Sequence, residues 1–178
     1  QPGKPTPSLP APGGITKSST ANSATIVWKP VSGADSYNVK FNGNTYRVNS
    51  NYKTFTGLSA GTAYSFQICA NNAKGSGAYG TSMTVTTAPG VPQGITAANT
   101  ADSVTLSWNA QKGADGYVVH FDNTEITVAG TTSTHRGLAP NTSHTYQIRA
   151  KNADGMGVYS NLKTIKTAAK TLQAPSGV

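Results

Sequence analysis

Apolar and polar residues alternate with a period of two along short stretches of this chain, which predicts β-strands rather than helices. Ala24, Ile26 and Trp28 alternate with Thr25 and Val27, and Val104, Leu106 and Trp108 alternate with Thr105 and Ser107. Tyr37, Val39 and Phe41 share one face, as do Tyr117, Val119 and Phe121, while Tyr64, Phe66, Ile68 and Ala70 alternate with Ser65, Gln67 and Cys69. Each stretch is expected to be a strand buried on one side. Asn42-Gly43 is placed to close a two-residue hairpin, because both residues tolerate positive φ. Asp122-Asn123 holds the same place, less ideally, in a later pair of strands.

The pattern is written twice. Trp28 recurs as Trp108, Tyr37 as Tyr117, Leu58 as Leu138, Ile68 as Ile148 and Tyr79 as Tyr159, always at the same offset. A fixed period of this size marks self-contained folding units, so what the copies share is scaffold and not one active site. A unit of about 80 residues buries one modest core and leaves little room for a catalytic cleft. The expected division is a proline-rich linker at 1–10, one domain at 11–88 and a second at 89–168. Residues 169–178 are expected to be a linker and the opening of a third repeat, where Pro175-Ser176-Gly177-Val178 answers to Pro12-Gly13-Gly14-Ile15 and Pro92-Gln93-Gly94-Ile95. Ala88-Pro89-Gly90-Val91 leaves almost no slack between the domains and should restrict how they turn. About seven short strands per unit specify an all-β sandwich of two sheets.

The residues also carry a family resemblance. Trp28 in the second strand, Gly33-Ala34-Asp35-Ser36-Tyr37, Gly57-Leu58-Ser59-Ala60-Gly61-Thr62-Ala63-Tyr64 and Ala70-Asn71-Asn72-Ala73-Lys74-Gly75 together resemble a fibronectin type III domain. Trp108, Gly113-Ala114-Asp115-Gly116-Tyr117, Gly137-Leu138-Ala139-Pro140-Asn141-Thr142 and Asn152-Ala153-Asp154-Gly155 repeat the pattern, so the resemblance runs from Pro12 to Thr167. It implies two tandem seven-stranded immunoglobulin-like sandwiches, with Trp28, Tyr37, Leu58 and Tyr64 marking one core and Trp108, Tyr117, Leu138 and His144 the other. One position departs from the family. The corner tyrosine, whose hydroxyl bonds back to the backbone, is Tyr64 in the first unit but His144 in the second. Losing a buried hydrogen bond costs about 1–3 kcal/mol unless the imidazole finds a partner, so the second unit is expected to be the less stable one unless its neighbours compensate.

Composition narrows the setting. Only 11% of residues are Asp, Glu, Lys or Arg, and Ser, Thr, Asn and Gly carry the surface, as suits an extracellular β protein. Cys69 is the one cysteine, so no disulfide forms within the chain. A secreted bacterial protein fits better than a disulfide-built eukaryotic receptor. Cys69 itself reads as a small, half-buried apolar residue. The net charge of +8 is uneven: Lys17, Lys29, Lys40, Arg47, Lys53 and Lys74 face Asp35 alone in residues 9–88. Scattered cations of this kind favour a general attraction to anionic polymers over a specific nucleic-acid site. No run of about 18 apolar residues predicts a membrane-spanning helix.

Candidate chemistry is sparse. His120, His135 and His144 all fall in the second unit, but the strand pattern turns His120 outward, His135 inward on the opposite sheet and His144 to a corner, so no metal site is expected. No catalytic constellation and no cofactor motif is present. Tyr46 and Tyr52 are the aromatics without an aromatic counterpart, Ile126 and Thr132 standing in their places, and Arg47 and Lys53 adjoin them. These four residues are the candidate contact patch, since sugar rings stack on exposed aromatic faces. Arg136-Gly137 is followed by Leu138, so no Arg-Gly-Asp adhesion tripeptide exists, and Asn141-Thr142-Ser143 reads as an ordinary turn.

The resemblance implies a non-catalytic, monomeric spacer of a secreted bacterial multidomain protein, most like the accessory modules of chitinases and cellulases. Its implied partners are neighbouring domains of the same chain, with at most weak contact to polysaccharide or anionic cell-wall polymer. The alternative implied by the same fold is an interaction module of a bacterial adhesin or a phage virion or tail protein.

Overall fold

The computed structural model describes residues 9–171, and every regular element in them is a strand. The first module contains β1 (Thr16–Ser19), β2 (Ser23–Val27), β3 (Ser36–Phe41), β4 (Asn44–Val48), β5 (Tyr52–Thr56), β6 (Ala63–Asn72), β7 (Gly75–Ser76) and β8 (Met83–Thr86). The second repeats them as β9 (Thr96–Asn99), β10 (Ser103–Ser107), β11 (Gly116–Phe121), β12 (Thr124–Val128), β13 (Thr132–Arg136), β14 (Ser143–Asn152), β15 (Gly155–Met156) and β16 (Lys163–Lys166). Beyond the seven expected strands, β7 and β15 are two-residue pieces that fold back on the ends of β6 and β14.

In each module three strands face four. β1, β2 and β5 oppose β4, β3, β6 and β8, and β9, β10 and β13 oppose β12, β11, β14 and β16. The alternation seen in the sequence fills the space between. Ala24, Ile26, Val39, Phe41, Phe66 and Ile68 form the first core, and Val104, Leu106, Val119, Phe121, Tyr146 and Ile148 the second. Trp28 meets Tyr37 edge-on with ring centres 5.3 Å apart, and Trp108 meets Tyr117 at 5.4 Å. The two tyrosine hydroxyls then accept the N–H of Val31 and Gln111, at 2.9 Å and 2.8 Å. Asn42 and Gly43 both take positive φ, 46° and 86°, as the hairpin requires.

Two details differ from the sequence reading. Cys69 is fully buried, not half-buried. Leu9 packs on the first core, so the module begins inside the stretch expected to be linker. Most of the proline-rich stretch and the opening of a third repeat at Pro175 lie outside the described residues.

The two sandwiches share a sheet. Ser19 at the end of β1 pairs in parallel with Gly155 of β15, so the three-stranded sheet of the first module continues into the larger sheet of the second.

Candidate functional site: the joint and the β4–β5 notch

The joint is built from one turn of the second module seated on the end of the first. Asn152 ends β14, and its Oδ1 accepts the N–H groups of Asp154 and Gly155, each at 3.0 Å. That turn aims Asp154 across the boundary, where its side chain is 8% exposed and lies 3.1 Å from Lys17 Nζ. Asp154 Oδ2 also accepts the Thr86 N–H at 2.7 Å, and its carbonyl accepts the Ser19 N–H at 2.7 Å. Asn152 Nδ2 donates to Thr87 O at 2.9 Å, and Lys112 Nζ to Thr62 Oγ1 at 3.1 Å. A nearly buried carboxylate with a cation and a backbone donor is fully compensated, which is the condition for such a charge to hold a structure together.

Close backbone approach completes the joint. Gly61 has φ of +56°, and a Cβ there would stand 1.9 Å from Lys112 O. A Cβ on Gly113 would stand 2.6 Å from Gly61 Cα, so the two glycines lie directly against one another. Thr87, Ala88 and Pro89 are buried. The Ala88 N–H donates to Thr20 O at 3.0 Å and the Ala88 carbonyl accepts from Gly61 N at 3.1 Å. The first half of the short linker, Ala88 and Pro89, is therefore part of the packed interior and not a tether.

The sequence held a signal for this that the strand pattern did not use. The first module's own turn is built alike, Asn72 Oδ1 accepting the Lys74 N–H at 2.9 Å, yet Lys74 stands where the second module has Asp154. At the receiving end Ala97 stands for Lys17 and Asn141 for Gly61. Lys17, Gly61 and Asp154 of the joint thus differ between copies, while Asn152 and Gly113 recur as Asn72 and Gly33.

The four residues of the candidate patch do not share one surface. Tyr46 pairs with Val39 and Lys53 with Ile26, which turns both toward the inside of the sandwich. They meet at its open flank, where Lys53 Nζ lies 5.8 Å from the ring centres of both Tyr46 and Phe55. Tyr46 packs edge-on against Phe55 at 5.1 Å, Phe55 stacks on Phe41 at 3.8 Å, and Phe41 lies over Tyr64 at 5.4 Å. A notch of 270 Å³ opens there, lined by Tyr46, Lys53, Thr54, Thr56 and Leu58 over Phe41 and Phe55. Tyr52 pairs with Val27 and Arg47 with Asn38, so they point to the outer faces of opposite sheets.

The same column in the second module is rebuilt from histidine. Phe121 is stacked by His135 at 3.8 Å and by His144 at 5.4 Å. Tyr64 accepts the Ser59 N–H at 3.0 Å as the corner tyrosine should, whereas His144 takes other partners. Its Nδ1 lies 2.7 Å from Asp122 Oδ2 and its Nε2 lies 2.8 Å from Thr142 Oγ1. Burial alone would raise the Asp122 carboxyl, but the hydrogen bonds from His144 and the Thr145 N–H, with the charge of His144, outweigh it and hold it below its usual value. His135 is pushed down by burial first, then raised by Asp122 and lowered by His144. His120 lies apart, its ring centre 6.3 Å from Tyr159. Among the described residues no group of three His, Cys, Asp or Glu side chains is placed to hold a metal ion.

The fibronectin type III domain pattern matches residues 10–86 and 90–165. The chain belongs to the fibronectin type III family. Two domains of this family in tandem account for nearly all of it. It is 39% identical over 174 residues to chitinase A1 of Niallia circulans, a match covering 85% of this chain and 25% of that protein. With exoglucanase B of Cellulomonas fimi it shares 33% identity over 158 residues, covering 76% of this chain and 14% of the other. A tail tube protein of Bacillus phage SPP1 is 37% identical over 91 residues, 49% of this chain and 33% of its own. The chain thus spans a quarter or less of the two enzymes it resembles. Among solved structures, the three fibronectin domains of chicken CNTN1 share the fold with a TM-score of 0.53 at 21% identity, covering 89% of this chain and 67% of that one.

Proposed function

We propose that this fibronectin type III pair is a stiff spacer in a secreted bacterial polysaccharide-degrading protein, setting the distance and angle between a catalytic domain and a polymer-binding module. The observation that carries the proposal is the joint. A spacer transmits orientation only if its own modules do not swivel, and here an ion pair with a nearly buried carboxylate, a strand pairing and a glycine–glycine contact bridge the boundary. Similarity to a chitinase and an exoglucanase supplies the setting. The test is retention of the chain on insoluble chitin and cellulose at high salt. A spacer stays in solution; salt-resistant retention on either polymer makes the chain a polymer-binding module and overturns the proposal.

A second reading, an interaction module of a phage virion or an adhesin, draws on the tail tube relative. It predicts capture by intact bacterial cells that is abolished when surface proteins are shaved off with protease. A spacer shows no such capture.

A further inference from the structure

We infer that the notch between β4 and β5 of the first module binds an acidic polysaccharide, seating one uronate-type pyranose against Tyr46 with its carboxylate on Lys53. The choice of a glycan rests on the polymer-processing setting proposed above; the choice of an acidic one rests on the charges. Tyr46 is 37% exposed, and its ring is backed by an unbroken aromatic column, Phe55, Phe41 and Tyr64, that runs into the core. A ring held in this way presents apolar surface without having to be ordered on binding. The Lys53 ammonium on the wall of the notch supplies a cationic partner, whereas the Thr54 hydroxyl is turned to the outer face, where it meets Thr25 Oγ1 at 2.9 Å. An apolar ring face bordered by one cation is complementary to a pyranose carrying a carboxylate.

Two further observations favour an anion. Among the described residues no carboxylate pairs with Lys53, so its charge is available to a ligand. In the same module, with Lys17 paired to Asp154, residues 9–88 still hold Lys29, Lys40, Arg47, Lys53 and Lys74 against Asp35, a field that draws anionic chains. The second module lacks the arrangement, with Ile126, Ser133 and His135 at the positions of Tyr46, Lys53 and Phe55. An inward-pointing lysine on an edge strand also discourages strand-to-strand aggregation, but that role needs no exposed aromatic ring beside it.

The experiment is an NMR titration of the whole chain with trigalacturonate, and with cellohexaose and chitohexaose as neutral probes, at low and high salt. The expected result is trigalacturonate-induced shifts confined to Tyr46, Lys53, Thr54, Thr56 and Leu58, weakened by salt. The double variant Y46I/K53S installs the second module's residues, so the sandwich is kept; its affinity should fall by about tenfold or more. Should the double variant lose its dispersed spectrum, K53S alone is predicted to lose most of the acidic binding while its spectrum stays native. Absence of shifts, shifts elsewhere, or affinity unchanged in the variants overturns the site. Equal binding of the neutral hexaoses overturns the acidic specificity. Retention on chitin or cellulose would sink the spacer proposal without touching this site, and a silent notch would leave the joint intact.

Discussion

Asp154 accepts the Thr86 N–H at 2.7 Å across the module boundary while its other oxygen lies 3.1 Å from Lys17 Nζ. One carboxylate thereby ties the last strand of the first module, its first strand and the β14–β15 turn of the second. Ser19, two residues along from Lys17, donates to the carbonyl of the same aspartate. The joint thus joins side-chain and backbone bonds at a single residue that is almost closed to water.

Replacing Asp154 with alanine leaves the Thr86 N–H without its side-chain acceptor and leaves the Lys17 ammonium only the Thr84 carbonyl. The expected loss at the joint is about 1–3 kcal/mol, the usual cost of orphaning one backbone donor shielded from water. Amide hydrogen exchange reads it directly: the Thr86 and Ser19 amides should exchange faster by about one to two orders of magnitude, while core amides such as Ile26 and Ile148 hold. Unchanged protection at Thr86 would remove Asp154 from the account.

Gly61→Asn separates the joint from the fold. Asparagine tolerates the left-handed backbone, as Asn141 shows at the matching position with φ of 60°. Its Cβ, however, falls on Lys112 O. The variant should keep two native sandwiches by circular dichroism yet show a broader interdomain distance distribution in small-angle scattering. A distribution identical to that of the parent chain contradicts the role given to the glycine contact.

Acid should weaken the second module first. His135 is held below the ordinary histidine value of 6.5, chiefly by burial. The native state therefore resists a proton that the unfolded chain accepts, so stability is full above about pH 6.5 and falls as the pH drops below it. Asp122, held below the ordinary 3.8, adds stability that is lost only at lower pH, as pH falls through its native value. His135→Phe installs the first module's Phe55 at this position, and Phe55 stacks on Phe41 at 3.8 Å just as His135 stacks on Phe121. Calorimetry at pH 7 and pH 5 should show the melting temperature falling in the parent chain and falling clearly less in H135F. Equal falls would place the acid sensitivity elsewhere.

The fold was legible because it depends on local rules applied twice. Period-two alternation around Trp28 and Trp108 states which side of each strand is buried, and the Asn42-Gly43 turn states where the hairpin closes. The patch was legible only in part. Tyr46 and Lys53 stand out by comparison with Ile126 and Ser133, but Arg47 and Tyr52 are only their chain neighbours, and neighbours on a strand point to opposite faces. Applied to residues 46–47 and 52–53, the same alternation that found the core would have divided the patch.

The joint was hidden for a different reason. Asp154 lies in a turn of a kind that also occurs at Lys74, and its meaning depends on how two folded units meet, which no local periodicity encodes. The differences Lys17 to Ala97, Gly61 to Asn141 and Lys74 to Asp154 were in plain view, but each is a single substitution on a surface. They become one site only when β1 is set beside β15.

The central claim is that the two modules move as one body, and residual dipolar couplings of backbone amides in a weakly aligned sample test it most directly. Couplings from residues 9–88 and 89–168 should fit a single alignment tensor in the parent chain and separate tensors in Gly61→Asn. Separate tensors in the parent chain would show that the modules swivel freely, and the stiff spacer would be wrong.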